Sequence, residues 1–352
     1  MEGRRRIPAG KFSMKILRFT FRLVAAVVVV AGTSGCLTMP VVPGASSAVA
    51  ELGPVFPGIA SYIVVDANDG HVVMAHSANQ KRPVASLTKL ATAMTVLEYM
   101  KHSGGDAGEM MVVPNQIQLL ADRGALGFLP GDRLAVRDGL YAAMMASDNA
   151  AAETLAVHFG QKLVGAGLGG GNPMAAFVSQ MNGLVHRLGM NGTRFVNAHG
   201  LEGSGPIGYS TAADVARLTM AGLRTPGMSF YSSQSQRGIT VVRDGAPRPI
   251  LVRNTNVLLG RAGIDGGKTG TTTPAGPCLM ITAPRAATVD KRPDGSTVVV
   301  PNRLIVVVLG ASERFNQAYT LLMQGWPAYE RWRAAGSPVA AGTTIGVPAA
   351  LP

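Results

Sequence analysis

The sequence has very little cysteine: among its 352 residues only Cys36 and Cys278 occur. Two cysteines cannot build a disulfide framework, and they cannot supply a zinc site made of cysteines. Cys278 lies in an apolar stretch that reads as a strand, where a buried, unpaired thiol is the expected state. Stability should therefore come from an ordinary core, which the 47% content of hydrophobic residues supports.

Acidic residues are also scarce, with 20 Asp and Glu against 32 Lys and Arg, and the formal net charge is +12. Half of this excess lies in residues 1–22, so the remaining chain is only moderately basic. A moderately basic body suits an anionic cell-envelope surface, although general solubility explains the charge equally well. The sequence shows no arginine–aromatic pattern and no nucleic-acid motif, so DNA and RNA are not expected partners.

Long hydrophobic runs are missing as well. The apolar run at residues 23–31 follows a basic region and is too short to span a bilayer. Residues 1–50 therefore read as an export segment, with translation beginning at Met1 or at Met14. The expected location is the cell envelope, on the periplasmic or extracellular face of the cytoplasmic membrane.

Two processing sites stay open within this export segment. Residues 48–50 (Ala-Val-Ala) before Glu51 form a small-x-small cleavage site, which predicts ordinary secretion. Residues 33–36 (Thr-Ser-Gly-Cys) resemble a bacterial lipoprotein box, with Thr33 where leucine is expected. This second site predicts a membrane tether through a lipidated Cys36.

A Ser-x-x-Lys pattern, Ser86 and Lys89, stands at the mouth of an apolar helix predicted over residues 86–100. Residues three apart share a helix face, so both side chains should point into one space. A serine needs a base to take its proton, and lysine can be that base when burial and nearby positive charge lower its pKa. The helix N-terminus could also present an N–H group to a developing oxyanion. Taken alone, however, the pattern more often means a capping serine and a solvated lysine.

Two further motifs change that interpretation. Residues 147–149 (Ser-Asp-Asn) stand between two apolar, alanine-rich segments, and residues 268–271 (Lys-Thr-Gly-Thr) follow a glycine-rich stretch. Each is unremarkable alone, as a helix cap or as the start of an edge strand. Together, and in this order, the three motifs are the signature of class A β-lactamases and penicillin-binding proteins.

The order of the predicted elements favours an α+β fold. A β-rich pair at residues 61–66 and 71–74 comes first, residues 105–135 read as loops, and helices fill the middle. Later β-rich stretches and a closing helix are predicted at residues 239–242, 250–253, 276–283, 304–309 and 312–332. Because there is no regular βαβ alternation, we expect one antiparallel sheet built from both ends of the chain and flanked by helices. The folded domain should span residues 57–335, followed by a loose Ala-, Gly- and Pro-rich tail at 336–352.

From about Ser61 to about Trp332, the sequence resembles the D-alanyl-D-alanine carboxypeptidase family of low-molecular-weight penicillin-binding proteins. The likeness extends over residues 83–90, 195–201, 209–214 and 263–273. It implies the serine β-lactamase-like fold, an antiparallel sheet with a helical subdomain. Many members carry a second β-rich domain and an amphipathic anchoring helix. Only a short tail follows Trp332 here, which adds weight to an anchor at Cys36.

The resemblance implies a role for each motif residue. Ser86 is the nucleophile that attacks the D-Ala-D-Ala peptide carbonyl, and Lys89 is the general base for acylation. Ser147 relays a proton to the leaving D-alanine, and Asn149 hydrogen-bonds the substrate amide or Lys89. The substrate is thus the stem peptide of peptidoglycan.

The third motif is expected to hold the substrate. Lys268 supplies positive charge near Ser147 and the substrate carboxylate, and Thr269 hydrogen-bonds that carboxylate. The backbone N–H groups of Ser86 and Thr271 form the oxyanion hole. Water then hydrolyses the acyl-enzyme, with no metal or cofactor required. Penicillins imitate the substrate and should acylate the same serine.

Two residues outside the motifs are further candidates for a functional role. Arg253 lies fifteen residues before Lys268, and its planar guanidinium suits the terminal carboxylate of D-Ala-D-Ala. A similarly placed arginine occurs in the carboxypeptidase family, but a surface arginine on a β edge fits the sequence nearly as well. A lone histidine such as His199 is more often a structural hydrogen bonder than a catalyst.

Carboxypeptidase is the preferred function, and three others stay open. A D,D-endopeptidase would cut peptidoglycan crosslinks with the same residues. A class A β-lactamase needs a glutamate to activate the deacylating water, and Glu153 is the only acid between Ala150 and Gly200. A non-catalytic penicillin- or peptidoglycan-binding protein is the fourth reading, but the three motifs retain all their polar residues.

Overall fold

The computed structural model describes residues 48–203, 205–291 and 294–347. The predicted basic region, the apolar run and Cys36 lie outside these residues. The helices are α1 (Thr88–Ser103), α2 (Val136–Met144), α3 (Asn149–Gly165), α4 (Pro173–Arg187), α5 (Ala212–Arg224) and α6 (Arg314–Ala334). The strands are β1 (Ile59–Asp66), β2 (Val72–His76), β3 (Met110–Val112), β4 (Arg133–Ala135), β5 (Gln236–Arg243), β6 (Ala246–Arg253), β7 (Gly266–Thr272), β8 (Gly276–Lys291) and β9 (Thr297–Ala311). Within the described ranges, no helix has the length and apolar character needed to cross a membrane.

The main sheet joins both ends of the folded chain, as the order of the elements predicts. It is antiparallel, with the strand order β2-β1-β9-β8-β7. Strand β9 pairs with β1, so the closing hairpin lies directly beside the opening one. The predicted α+β fold with an antiparallel sheet is confirmed.

Both faces of the main sheet are buried. Successive side chains of a strand point to opposite faces. On β1, Ile63 and Val65 belong to the apolar cluster that includes α1, whereas Tyr62 and Val64 belong to the cluster that includes Trp326 of α6. Each fully buried large apolar side chain contributes about 1.5–3 kcal/mol. The sheet is therefore the middle layer of the fold. Its edge strand β7 belongs to this layer.

A second antiparallel sheet, in the order β3-β4-β5-β6, corrects the expectation of a single sheet. The β-rich stretches at 239–242 and 250–253 are strands, but they belong to this smaller sheet. Strands β3 and β4 have three residues each, which is too short for an alternation pattern to reveal them. The region 105–135 therefore reads as loops although it supplies two strands.

Helix α1 is central, as its nearly continuous apolar surface predicts. Every residue from Thr88 through Val96 is buried. The helix is followed by Gly104, whose φ of 65° is the left-handed conformation common after helix ends. Ser86 precedes the helix in a 3-10 turn over Ala85–Leu87, so α1 begins slightly later than predicted.

Residues on both sides of the predicted domain pack against it. Val49 is buried and exchanges two hydrogen bonds with the Asn79 side chain, at 2.9 and 3.2 Å. In the tail, Ile345 is fully buried, and its N–H donates to Gly70 O at 2.9 Å. A loose tail is therefore not what the structure shows at this position.

Candidate active site

Ser86 and Lys89 lie side by side at the start of the central helix. Lys89 Nζ is 2.8 Å from Ser86 Oγ, within reach for the proton transfer that the Ser-x-x-Lys spacing predicts. Ala85 has a φ of 49°, and this strained residue turns the chain sharply into α1. A tight turn joined to a helix therefore brings the pair together.

The surroundings of Lys89 favour its neutral amine. The side chain is fully buried, and burial lowers the pKa of Lys89 to about 7. The carboxylates of Asp148 and Asp122 oppose this shift, but desolvation is the larger effect. Near neutral pH a substantial fraction of this lysine is therefore able to accept a proton.

Lys89 Nζ has three oxygen partners, which an ammonium can satisfy with three N–H groups and a neutral amine with two N–H groups and a lone pair. Nζ lies 2.6 Å from Asn149 Oδ1 and 2.9 Å from the backbone oxygen of His199. A neutral amine has two N–H groups, which donate to these two oxygens. Its lone pair is then left to accept the hydroxyl proton of Ser86. In its neutral form, the amine is thus placed to act as a base toward the serine.

The Ser-Asp-Asn stretch directs its three side chains to different partners. Ser147 has a φ of 59°, a strained conformation at the tight connection between α2 and α3. Asp148 caps α3 by accepting the N–H of Ala151 at 2.9 Å. The Asn149 amide donates to Asp122 O at 2.9 Å, which turns its oxygen toward Lys89. Asp148 therefore has a structural role, while its neighbours serve the site.

Lys268 joins the third motif to the second. Its Nζ lies 2.7 Å from Ser147 Oγ and donates to the Thr269 carbonyl at 2.9 Å. Burial lowers the pKa of Lys268 well below its usual range, and the Arg314 guanidinium and the protonated form of Lys89 lower it further. Ser147 therefore stands beside a lysine that releases its proton readily.

Strand β7 is an edge strand, and it approaches the catalytic turn closely. A Cβ atom on Gly270 would lie 2.9 Å from Ser86 N and 3.1 Å from Val84 O. Only glycine allows the strand and the turn to come this near. The unpaired backbone groups of such an edge can bind an extended peptide by strand addition.

The backbone of Thr271 is oriented for the predicted oxyanion hole. Residues two apart in a strand direct their backbone groups to the same side, and the Thr269 carbonyl accepts from the Lys268 side chain at 2.9 Å. Thr271 is paired with Pro277, which has no N–H group for a ladder hydrogen bond. By this alternation the Thr271 backbone points to the same side as the Thr269 carbonyl, which is the side expected for an oxyanion donor.

Thr255 is a site residue that sequence reasoning missed. Its Oγ1 lies 2.7 Å from Thr269 Oγ1. The Met145 carbonyl accepts both its N–H, at 3.0 Å, and its hydroxyl, at 3.2 Å. Thr255 thereby ties the Lys-Thr-Gly strand to the residues just before Ser147. No local pattern marks it, because Met145 lies 110 residues away in the sequence.

The structure places two arginines differently around the Lys-Thr-Gly strand. Arg253 is exposed on β6, in the smaller sheet, and its side chain has no hydrogen bond or ion pair with any described residue. Its role in carboxylate capture stays a prediction. Arg314 opens α6, and its Nη1 lies 2.6 Å from Thr271 Oγ1 and 2.9 Å from Gly270 O. Sequence reasoning missed Arg314, which no motif marks.

His199 contributes to the site through its backbone carbonyl, and its ring is buried beside Glu153. Its Nδ1 accepts the N–H of Leu201 at 3.1 Å, so the ring proton lies on Nε2, 3.7 Å from Glu153 Oε2. Burial lowers the pKa of His199 to about 3 and raises the pKa of Glu153. Glu153 also accepts from Gln116 at 3.1 Å. A neutral histidine that fixes its own carbonyl against Lys89 agrees with a structural role.

The fold and the site together define a class. A serine paired with a buried lysine, beside a Ser–Lys pair at the edge of an antiparallel sheet, is the arrangement of serine β-lactamases and penicillin-binding proteins. The family model described as D-alanyl-D-alanine carboxypeptidase matches residues 58–312. The chain belongs to this family.

Individual relatives differ in the activity their names state. A D-alanyl-D-alanine endopeptidase of Pseudomonas aeruginosa is 33% identical over 230 residues, which are 63% of this chain and 66% of that protein. The D-alanyl-D-alanine carboxypeptidase DacC of Escherichia coli is 29% identical over 278 residues, 77% of this chain and 62% of that protein. The chain therefore matches slightly less than two thirds of the length of either relative.

A solved structure shares the fold at a similar level of identity. Penicillin-binding protein D2 of Listeria monocytogenes, in its cefotaxime-bound form, is 28% identical with a TM-score of 0.60. The alignment covers 78% of this chain and 99% of that one.

Proposed function

We propose that this protein is a serine-type D-Ala-D-Ala carboxypeptidase, which removes the terminal D-alanine of peptidoglycan stem pentapeptides through an acyl-enzyme on Ser86. One observation carries the proposal: Lys89 Nζ lies 2.8 Å from Ser86 Oγ in a buried setting that lowers its pKa to about 7. Burial lets this lysine act as a base, and the Ser86 hydroxyl lies within hydrogen-bond distance of its Nζ.

Acylation follows from this geometry. The proton of Ser86 moves to Lys89 while the serine oxygen bonds to the carbonyl carbon of the penultimate D-alanine. The developing oxyanion accepts from the N–H groups of Ser86 and Thr271. One such donor typically lowers the barrier by about 3–4 kcal/mol. The substrate backbone lies along the free edge of β7, where Gly270 leaves room for it.

Collapse of the intermediate breaks the bond between the carbonyl carbon and the nitrogen of the leaving D-alanine. The proton held by Lys89 returns, through Ser147, to that nitrogen. Lys268 holds the Ser147 oxygen at 2.7 Å and so orients the relay. A water molecule then gives its proton to Lys89, attacks the acyl carbon, and Ser86 is regenerated with that proton.

The leaving D-alanine carries a free carboxylate, and the site offers partners for it beside β7. Thr269 contributes its hydroxyl, and Arg314 lies against the Thr271 side chain. A guanidinium can donate two hydrogen bonds to one carboxylate, which suits recognition of a chain end.

The test replaces the nucleophile. Ser86→Ala should abolish both D-alanine release from a pentapeptide and covalent labelling by a fluorescent penicillin. The melting temperature should stay near that of the wild type, because Ser86 is not part of the apolar core. Covalent labelling that persists in the variant would remove Ser86 from its proposed role.

β-Lactams are the proposed covalent inhibitors. Their strained amide would take the place of the D-Ala-D-Ala bond and acylate Ser86. Support comes from the cefotaxime-bound form of penicillin-binding protein D2, which shares this fold at 28% identity.

D,D-endopeptidase is a second candidate function. The relative with 33% identity is named an endopeptidase, whereas the carboxypeptidase DacC has 29% identity. The catalytic residues would be the same, so the two activities differ only in the leaving group. Comparing D-alanine release with cleavage of a crosslinked dimer separates them.

We also propose that the protein is exported to the cell envelope, since its substrate is extracytoplasmic and residues 1–50 have the pattern of an export segment. The hydrogen bonds of Val49 with Asn79 favour a mature chain that keeps residue 49, as cleavage before Cys36 would. Mass spectrometry of the mature N-terminus is the test. A lipid-modified Cys36 supports the tether, a free Glu51 supports ordinary secretion, and an intact residue 1 in the cytosol contradicts export.

A further inference from the structure

A cavity of about 380 Å³ lies among helices α1, α3 and α4. Its apolar wall consists of Tyr99, Phe159, Leu163, Leu168 and Phe177. The rings of Tyr99 and Phe159 meet edge to face, with 5.3 Å between their centroids. A concave space of this size with an aromatic lining is typical of sites for small molecules.

Two polar side chains of α1, Thr95 and Glu98, also line this cavity. Both Thr95 Oγ1 and Glu98 Oε1 are buried, and neither has a hydrogen-bond partner among the described residues. The other carboxylate oxygen of Glu98 accepts from Arg187 Nη2 at 2.7 Å. Because a buried polar atom without a partner is unfavourable, folded proteins keep few of them. Two such atoms in one cavity wall therefore point to a ligand that supplies the missing partner.

The Thr95 hydroxyl differs from those of comparable threonines in the same protein. A threonine inside a helix can donate to the carbonyl oxygen four residues before it. Thr154 does so in α3 at 2.7 Å, and Thr219 does so in α5 at 2.8 Å. Thr95 is as buried as Thr219, each with 6% exposure, but its hydroxyl makes no such bond. The Thr95 hydroxyl is therefore available to a partner in the cavity.

The two unpartnered atoms have complementary requirements. Glu98 forms an ion pair with Arg187, and an oxygen of such a carboxylate only accepts hydrogen bonds. The Thr95 hydroxyl can donate as well as accept. Residues three apart lie on the same face of a helix, so one group between them can reach both side chains. A hydroxyl group fits this position, because it can donate to Glu98 and accept from Thr95.

We propose that this cavity binds a small alcohol whose apolar body is about the size of one aromatic ring. The hydroxyl bonds to Thr95 and Glu98, and the ring packs against the aromatic wall. Leu168 is 49% exposed, so the cavity borders solvent at this residue and can be entered there. The site is separate from the catalytic centre, because Glu98 lies nine residues beyond Lys89 on α1, about 13 Å along the helix axis. The inference therefore goes beyond the proposed function and does not depend on it.

The experiment titrates the full chain with phenol and with toluene, which carries a methyl group of similar size in place of the hydroxyl. Binding is followed by the NMR signals of the Leu163 methyl groups, which report on the cavity wall. Phenol should bind with a Kd of about 1 mM or tighter. Toluene should bind about tenfold more weakly, because it leaves both polar atoms without a partner.

A matched pair of variants tests the role of the hydroxyl. Thr95→Val keeps the shape of the side chain and should weaken phenol binding about fivefold or more, with toluene binding unchanged or stronger. Thr219→Val makes the same change at an equally buried helical position outside the cavity, and should leave phenol binding unchanged. The melting temperature should fall in Thr219→Val, which loses a hydrogen bond, but not in Thr95→Val.

Four results would overturn the site. Phenol that fails to bind at millimolar concentration would mean a cavity that holds only solvent, and equal affinity for phenol and toluene would remove the role of the hydroxyl. A melting temperature that falls as far in Thr95→Val as in Thr219→Val would mean that the Thr95 hydroxyl already has a partner. Phenol binding that disappears once a penicillin has acylated Ser86 would place the ligand in the catalytic centre. Because the readout is binding, a protein without peptidase activity would contradict the proposed function but not this site.

Discussion

Two groups of basic side chains lie next to each other in this protein, and they differ in burial and in how readily they lose their charge. In the catalytic centre, Lys89 and Lys268 are almost completely buried, at 0% and 1% exposure, and burial lowers the pKa of both. Beside it, Arg261 and Arg314 line a cavity of about 470 Å³. Arg261 is exposed and Arg314 is half-buried, and arginine keeps its charge in both settings. Burial shifts the lysines toward their neutral form, whereas the guanidiniums stay charged and can bind anions. In the proposed function, this difference separates the residues that transfer protons from those that bind the substrate carboxylate.

The largest expected effect comes from removing the base. Lys89→Met should lower the acylation rate by about 10³-fold or more, since a positioned general base contributes roughly 10²–10⁴-fold. Lys89→Arg is the sharper variant, because it keeps a positive charge but cannot give up its proton at ordinary pH. Both rates can be measured with a chromogenic β-lactam.

The comparison predicts that Lys89→Arg is as inactive as Lys89→Met. Substantial acylation by the arginine variant would mean that charge, rather than proton transfer, is what the buried position supplies. Far-ultraviolet circular dichroism of each variant controls for loss of the fold.

For the arginines, we expect the positive charge to matter rather than the ability to transfer a proton. Arg314→Ala should lower kcat/KM for peptides with a free D-Ala carboxylate by about tenfold or more, and Arg314→Lys should keep much of the activity, because the charge remains. Arg253→Ala tests the residue that the sequence suggested. We expect the larger loss at Arg314, since its guanidinium contacts Thr271.

A substrate with an amidated C-terminus is the control for this pair. Carboxylate capture predicts that either arginine matters less for the amidated peptide. The opposite outcome is a larger loss in Arg253→Ala than in Arg314→Ala, seen only with the peptide that has a free carboxylate. That outcome would assign carboxylate capture to Arg253.

The motif residues were predictable because each carries a local pattern. Ser86 and Lys89 are three residues apart, and the structure brings their reactive atoms to 2.8 Å. Ser147 and Lys268 are distant in sequence, and only their joint occurrence in a known order predicts the 2.7 Å contact between them. An antiparallel sheet built from both chain ends followed from the order of the strands.

The missed features have no such pattern. Thr255 and Arg314 meet the Lys-Thr-Gly strand through contacts made only in the folded chain, 14 and 43 residues apart in sequence. The His199 carbonyl accepts from Lys89, but a backbone oxygen is the same in every residue type. The smaller sheet escaped prediction because β3 and β4 are too short to show alternation.

The central claim is that Lys89 acts as a neutral base, and the pH dependence of acylation tests it most directly. A base with a pKa of about 7 is protonated below that pH, so the acylation rate should fall about tenfold per pH unit on the acidic side. Above that pKa the rate should level off. The measurement is the second-order rate constant for acylation of Ser86 by a penicillin, taken from about pH 5.5 to about pH 9. A rate that rises with pH and levels near pH 7 is predicted, and a rate that is flat through neutrality would contradict the account.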